Sequence, residues 1–524
     1  PHGYESTKLE PSFEGLMCAY NFWCAGTDWA TAGRPRVRAG DTILVHAGEY
    51  KYDRYEYTND PSVNRTTPLD GTYYLTEDGT PDRPIAIKAA GDGEVVFDGN
   101  GNYALFDVRA AVHTYFEGIS VRNAVIGLLA GTQFLAGATG LTVKRSRFED
   151  VGAGIFTNYS GSSGFYIADN EFVGRNDPDH MMAWRGDMWA QFEGVDGQVF
   201  PPKMYSYVAV KLYGPGHIVA YNYIANFHDG INVETYGSPD GAQASGPGIV
   251  DGPRYPPRSY MDRRPVAIDF YNNYITNSHD NPIEADGSMH NIRIMRNMFI
   301  NHPSHAFCNQ PALGGPVYWI RNIAYNLPGG STRITAGSAG VLLYNNTILS
   351  ETAVLGGSNL HWRNNLMLGQ NAAEAIFSVA TYTGYSSSDY NGFRPNTDTD
   401  LAFEWALPAS GAQAEFSGPD GDVALEARQF ATLESFSDAT GNDRNSVVVD
   451  YDVFRDVPQL DARATDSLQN IYDAEDFDFR LRRNSAAVDR GTPIPNVTDG
   501  YSGRAPDLGA LELGVDAPHY GPRP

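Results

Sequence analysis

From about residue 85 onward, apolar and polar residues alternate in short runs separated by Asn-bearing turns. In order these runs are "HTYFEGISV", "LTVKRSRF", "FYIADNEF", "HIVAYNYI", "VAIDFYNNYI", "NIRIMRNMFI", "PVYWIRNIAYN", "VLLYNNTIL" and "LHWRNNLML". A period of two marks half-buried strands. The unit reads as a strand, an Asn turn, a second strand and another turn, recurring every twenty residues or so where nothing is inserted. Short strands at that period, with no helices between them, predict the coils of a parallel β-helix, in which stacked repeats share one continuous core. The 524 residues therefore do not divide into the three or four domains that length alone suggests. The recurring Asn belongs at a corner, where it tolerates left-handed backbone angles and can stack on the Asn of the next coil.

Two stretches break the rhythm and are too long for β-helix corners: 174–206, "GRNDPDHMMAWRGDMWAQFEGVDGQVFPPKMYS", and 238–264, "SPDGAQASGPGIVDGPRYPPRSYMDRR". Loops of this length in a compact fold are functional or disordered. Their aromatics, Trp184, Trp189, Tyr255 and Tyr260, suit the walls of a cleft. At the other end "VRAGDTILVHAGEY" (37–50), preceded by the helical-looking "EPSFEGLMCAYNFW", reads as an opening cap. The predicted plan is a cap segment over 1–34, a β-helix over 35–375 carrying both insertions, and an irregular capping region over 376–524 packed on the solenoid. The acidic stretch from about 380 to 480 has no evident role.

These motifs carry a resemblance. "AGDTILVHAGEY", then "PIAIKAAGDGEVVFDGNG", the Asn-turn coils, and a closing "SAAVDRGTPIPNVTDGYSGRAPDLGALELG" together look like the right-handed parallel β-helix superfamily, which includes pectate and alginate lyases and many glycoside hydrolases. It covers residues 35–375 and the closing segment. It implies an all-β fold, a single-stranded right-handed solenoid, and a polysaccharide or oligosaccharide partner. It does not select a reaction, because this fold hosts several chemistries.

Aligning the second strands shows where chemistry would gather. The rows are "IFTN" (155–158), "VAVK" (208–211), "INVE" (231–234), "IEAD" (283–286) and "AFCN" (306–309). First and third positions are apolar or small, which turns them inward and predicts Ile231, Val233, Ile283, Ala285 and Cys308 in the core. Fourth positions then form an outward column of Asn158, Lys211, Glu234, Asp286 and Asn309, beside a second column of Phe156, Ala209, Asn232, Glu284 and Phe307. Coils stack about 4.8 Å apart, so a lysine and three carboxylates converge beneath the insertions. The pairs His228–Asp229 and His279–Asp280 fall in the preceding turns and would stack at the rim. Tyr213 and Tyr236, matched in "VKLYG" and "VETYG", could stack on sugar rings. Outward polar residues on a solenoid are ordinarily a solvated face, and a stacked Lys/Glu pair can be only a cross-strand ion pair. Crowded carboxylates are costly unless protonated, metal-bound or used, and that cost favours a site.

Three functions fit such a site. A glycoside hydrolase needs one carboxylic acid and one carboxylate, supplied by Glu234 with Asp286 or Glu284, while Lys211 keeps a neighbour ionised; no cofactor is then required. This is the leading expectation. A polysaccharide lyase would use Lys211 as base and Glu234, Glu284 and Asp286 as hard-oxygen ligands for Ca²⁺. The resemblance leads one to expect an arginine as well. None stands in the column, and Arg185, beside Trp184 on the first insertion, is the nearest. A non-catalytic carbohydrate-binding module would need exposed aromatics and no crowded carboxylates. Zinc is disfavoured, because His228, His279, His302 and His305 show no compelling ligand spacing.

Composition narrows the classes further. The net charge of −25 makes a poor nucleic-acid binder. No apolar run reaches the length of a membrane span. With 55 Gly and 32 Tyr, 42% hydrophobic and 19% charged residues, the chain favours strands and tight corners. Three cysteines are too few for a disulfide scaffold; Cys18 and Cys24 are close enough to pair in an oxidising compartment, leaving Cys308. The opening "PHGYESTKLE" shows no basic-then-apolar leader. A secreted or periplasmic location is expected, since polymeric glycans do not enter cells.

Overall fold

The structure, a computed structural model, describes residues 12–13, 15–24, 30–31, 33–51, 71–131, 137–157, 162–176, 178–179, 181, 206–233, 265–335, 337–397, 399–409, 425–464 and 470–524. Twelve strands from Thr42–Val45 to Ser387–Asp389 hydrogen-bond in parallel as one continuous sheet, each strand pairing with its equivalents one coil before and after. The remaining strands of each coil stack in the same way, so the chain winds as a parallel β-helix. Parallel crossovers of this kind are right-handed in nearly all proteins.

Each coil holds three strands rather than the expected two. "HIVAYNYI" splits into Ile218–Ala220 and Tyr223–Ala225 around its Asn corner, and Asp229–Val233 is the third. Period-two alternation runs straight through such a corner, which hides the bend. Ile155, Val210, Ile231, Ile283, Phe307, Val233 and Ala285 are fully buried in one core that runs through the coils.

The corner asparagines divide their labour. The first corner residue takes the left-handed backbone, at Asp169, Tyr221, Asn272, Arg296, Arg321, Asn345, Asn364 and Tyr390. The next residue is a buried Asn, and it is this second residue that stacks. Asn170, Asn222, Asn273, Asn297, Asn322, Asn346, Asn365 and Asn391 each donate Nδ2 to the Oδ1 of the next, at 2.9–3.0 Å. Stacking and left-handed geometry were expected of one Asn. They fall on two because the inward amide and the outward corner side chain point opposite ways.

The ladder closes on Asp443, whose Oδ1 accepts from Asn391 at 3.0 Å and from Ser446 Oγ at 2.6 Å. Its Oδ2 is buried with no hydrogen-bond partner. Burial pushes this carboxyl up to about 6, against the lowering effect of the hydroxyl and amide donors. A raised carboxyl pKa contributes stability that is complete below the unfolded value and is lost as pH rises through the folded one. Asp443→Asn should therefore stabilise the protein above pH 6 by up to about 3 kcal/mol, the equivalent of that pKa displacement, and change little near pH 4. Urea unfolding at several pH values checks this; a variant less stable than wild type at pH 7 would show that the ladder needs the charge.

The parallel coils continue past 375 through Phe377–Thr381 and Phe403–Pro408. Leu425–Phe430 then turns back antiparallel, and the helix Leu433–Thr440 buries Phe436 over the end of the core. At the other end the helix Leu16–Asn21 packs Leu16, Met17 and Tyr20 on the first coils, and Cys18 is disulfide-bonded to Cys24. The C-terminal segment returns along the left-handed corners as a strap. Asn364 exchanges bonds with Thr492, Asn345 donates to the Asp507 carbonyl, Asn272 donates to that of His519, and Arg523 pairs with Asp169 at 2.7 Å.

Candidate functional site

The register places the polar residues differently from the sequence alignment. Lys211 lies opposite Phe156 on one side and Asn232 on the other, Asn232 lies opposite Glu284, Glu284 opposite Cys308, and Cys308 opposite Arg333. The real column is therefore Phe156, Lys211, Asn232, Glu284, Cys308 and Arg333. The "VAVK" row was aligned two residues out: Val208 pairs with Ala153 and with Asp229, where the next strand begins, and not with Ile155 and Ile231. The "AFCN" row was one residue out, and a one-residue slip exchanges the two faces of a strand.

That slip moves two residues. Cys308 is buried as expected, but among carboxylates rather than in the apolar core: its Sγ lies 3.5 Å from Asp286 Oδ1. Burial, together with Asp286, Glu284 and Asp280, drives its thiol pKa well above the usual value. Asn309, expected in the outward column, points inward. It accepts from the Trp319 indole at 2.9 Å and donates to the Ala285 carbonyl at 2.9 Å. Phe307, being larger, fills the core beside it.

Around this column the third strands and the turns before them bring a compact polar group together. Asn232 donates Nδ2 to Glu284 Oε2 at 2.8 Å and to Asp229 Oδ2 at 3.2 Å, while its Oδ1 is buried without a hydrogen bond. Asp229 Oδ1 accepts from the Asn281 backbone at 3.4 Å, and the Asn281 side-chain oxygen is likewise buried without a hydrogen bond. Asp286 Oδ1 accepts the Gln310 amide at 2.6 Å. Arg333 reaches Asp280 at 3.3 Å, and Asp280, Cys308, Glu284 and Asp286 all act on its charge. Lys211 Nζ lies 5.3 Å from the ring centre of Tyr207 and 5.6 Å from that of Phe156.

His228 and His279 do stack, as the doubled "HD" suggests, but buried rather than at a rim. Their Nδ1 atoms are 2.7 Å apart and their rings 4.8 Å apart. One Nδ1 must donate and the other accept. Burial first, and the neighbouring ring second, pull His279 down to about 3, so it is neutral at ordinary pH. Tyr213 is fully buried, and its ring does not face a sugar. Asn158, Glu234, Tyr236, Trp184 and Arg185 lie outside the described residues, as do nearly all of both insertions and hence the proposed cleft walls.

Arg333 is the residue that sequence reasoning missed. It lies in "STRITAG", a row short of the alternation used for alignment, and only the Cys308–Arg333 pairing puts it in the column. Formal charges then explain the chemistry the site invites. Asp229, Asp280, Glu284 and Asp286 are each at most 5% exposed, against two cations, Lys211 and Arg333. Among the described residues these carboxylates outnumber the cations by two, the charge of one divalent ion. Two groups of potential ligands have their donor atoms within 4.8 Å of one another: His228 with Asp229 and Asp280, and Glu284 with Asp286 and Cys308. The buried amide oxygens of Asn232 and Asn281 add hard donors of the kind Ca²⁺ prefers. The residues present thus fit a hard divalent cation.

No protein-family model matches the chain, and comparison with curated proteins finds no relative. Among solved structures it is similar to the pectate lyase Pel9A, at 14% identity over 92% of this chain and 91% of that one, with a TM-score of 0.32. It is also similar to a mannuronic-acid-specific family 6 polysaccharide lyase from human gut microbiota, at 13% identity, 72% and 73% coverage and a TM-score of 0.38. A third is the tailspike protein of the E. coli bacteriophage HK620, at 10% identity, 68% coverage of each chain and a TM-score of 0.32. Likenesses this distant bear on neither reaction nor substrate.

Proposed function

We propose that the chain is a polysaccharide lyase that cleaves a uronate-bearing glycan by β-elimination. The observation that carries this reading is the column itself, which sets Lys211 and Arg333 on either side of Asn232, Glu284 and Cys308, with the buried carboxylates of Asp229, Asp280 and Asp286 beside it. Elimination removes the proton on the carbon next to the uronate carboxyl. The electron pair forms a double bond in the ring as the bond from its far carbon to the glycosidic oxygen breaks, and that oxygen takes up a proton from water or from the protonated base. The proton needs a base, and the substrate carboxyl needs neutralising charge while the carbanion develops. Lys211 supplies the base and Arg333 a fixed positive charge. Asp229, Asn232, Glu284 and Asp280 would hold Ca²⁺, which when bound adds a second positive charge for the substrate carboxyl.

The leading sequence expectation, a glycoside hydrolase, relied on Glu234 paired with Asp286 or Glu284. Of these, Asp286 is tied to the Gln310 amide and Glu284 to Asn232. A general acid needs a carboxyl able to reach the leaving oxygen, and these two are only 0% and 3% exposed. Incubation with a panel of uronate and neutral glycans tests the reading, following ultraviolet absorbance for unsaturated uronate and reducing ends in parallel. New reducing ends with matching absorbance are expected. Reducing ends without absorbance would return the hydrolase to first place.

We further propose export. The Cys18–Cys24 disulfide supports an oxidising compartment, and the polymeric substrate requires access from outside the cell. Among the described residues no helix is long and apolar enough to cross a membrane.

A further inference from the structure

Where the C-terminal strap crosses the left-handed corners it leaves a cavity of about 470 Å³, within the range of small-ligand sites. The corner lies between the first and second strands of each coil, whereas the carboxylate column lies on the third, so this cavity is separate from the site described above.

Arg296 and Arg321, one coil apart on the corner, both line it. Arg296 is exposed and Arg321 half-buried. Among the described residues neither forms an ion pair within 4.0 Å. Arg321 donates Nε to the Val497 carbonyl at 3.2 Å and Nη1 to that of Ala510 at 3.0 Å, and its Nη2 has no acceptor among the described residues. Burial lowers its pKa, against the attraction of Glu512 and Asp507, and repulsion from Arg296 adds to the lowering. Close to both guanidiniums, the Tyr520 hydroxyl is buried with no hydrogen-bond partner. Glu512 also lines the cavity and acts on Arg321, yet neither guanidinium is closed off by an ion pair among the described residues.

The rest of the lining separates one kind of anion from another. Asp499 and Asp516 also face the cavity, which would repel a small inorganic anion. Carboxylates do, however, accept hydroxyl groups well. Tyr221 and Tyr501 present rings of the kind that pack on sugars. A ligand with a carboxylate at one end and hydroxyls around a ring matches both halves of this lining.

We infer that the strap cavity is a second carbohydrate site that binds a carboxylated sugar, with Arg296 and Arg321 on its carboxylate and Asp499 and Asp516 on its hydroxyls. The site does not depend on the lyase reading. It would hold an acidic glycan chain on a face away from the carboxylate column.

Saturation-transfer NMR with glucuronate as probe tests this. A signal is expected in wild type and in Lys211→Ala, weakened about tenfold in Arg296→Gln, the scale of one lost charge-assisted hydrogen bond. Arg296 is exposed, so its variant should unfold at the wild-type temperature. Tyr501→Ala, at an exposed residue whose ring lines the cavity, should also weaken the signal and guards against misfolding of the first variant. Glucose should give no signal, and neither glucose nor equimolar sulfate should displace glucuronate. An undiminished signal in Arg296→Gln and Tyr501→Ala would overturn the inference. So would displacement by sulfate, which would mark a plain anion site, or by glucose, which would show that the carboxylate is not read.

Discussion

Lys211→Ala should lower turnover on the cleaved glycan by about 10²–10⁴-fold, the usual loss when a positioned acid or base is removed. That is about 3–5 kcal/mol of transition-state stabilisation. The protein should remain folded. The lysine lies over the rings of Phe156 and Tyr207, and losing those contacts should cost stability only modestly, about 0.5–2 kcal/mol. Lys211→Arg separates the roles, because arginine keeps the charge and the ring contact but does not deprotonate. If Lys211 is the base, both variants lose the unsaturated product alike. If it only holds charge, Lys211→Arg recovers most of the rate. A base that must be unprotonated gives wild-type turnover a limb that rises with pH. That rising limb should vanish in both variants. Chelation should abolish activity and Ca²⁺ restore it. Near-native turnover in Lys211→Ala would leave the column without a base and end the lyase reading.

Arg333→Gln probes the same chemistry from the other end of the column, and here structure and catalysis are entangled. Arg333 is the nearest cation to Asp280, and removing it leaves four buried carboxylates with one fewer positive charge. Part of any loss of activity would then come from the carboxylates repelling one another. Added Ca²⁺ should offset that part, because a cation among the carboxylates replaces the missing charge. The Lys211 variants have no such rescue.

Much of the fold was legible because periodicity survives local error. A β-helix repeats one requirement, an inward apolar residue at every second position, and a dozen coils of "YIA", "FYI" and "VYWI" state it many times over. What the sequence could not settle was phase. In "VAVK" the two-residue error keeps the faces and changes only the partners, because Val208, Val210 and Leu212 all suit an inward position. In "AFCN" the choice lies between Cys308 and Phe307, and it is decided by packing of Phe307 and by an indole hydrogen bond from Trp319, ten residues away in sequence. The doubled His–Asp motif did mark neighbouring coils, which bring His228 and His279 to 2.7 Å. It could not show that the pair is buried. Arg333 was invisible for a simpler reason: its strand, Thr332–Ile334, has only three residues, too short for alternation to register.

The asparagine ladder offers the largest stability effect of any single residue outside the apolar core. Asn297 Oδ1 accepts both the backbone amide and the side-chain amide of Asn273, at 3.0 and 2.9 Å. Its own Nδ2 donates to Asn322 Oδ1 at 3.0 Å and to the Phe270 carbonyl at 3.1 Å. Asn297→Ala removes all four bonds. The two donors of Asn273 are then stranded where Asn273 and Asn297 are both fully buried. Each stranded buried donor costs about 1–3 kcal/mol, so a loss of about 3–5 kcal/mol is expected, at the upper end for a single substitution. Asn297→Asp is the sharper test. It keeps an oxygen for Asn273, but its second oxygen meets the acceptors Asn322 Oδ1 and Phe270 O. If direction in the ladder matters, the aspartate should be no better than alanine at neutral pH. It should improve below the carboxyl pKa, where the protonated oxygen can donate. Urea unfolding of the three proteins at pH 7 and pH 4 reads this out. An aspartate variant as stable as wild type at pH 7 would mean that the ladder runs on shape alone, and that the chain of amide dipoles contributes nothing to holding the coils in register.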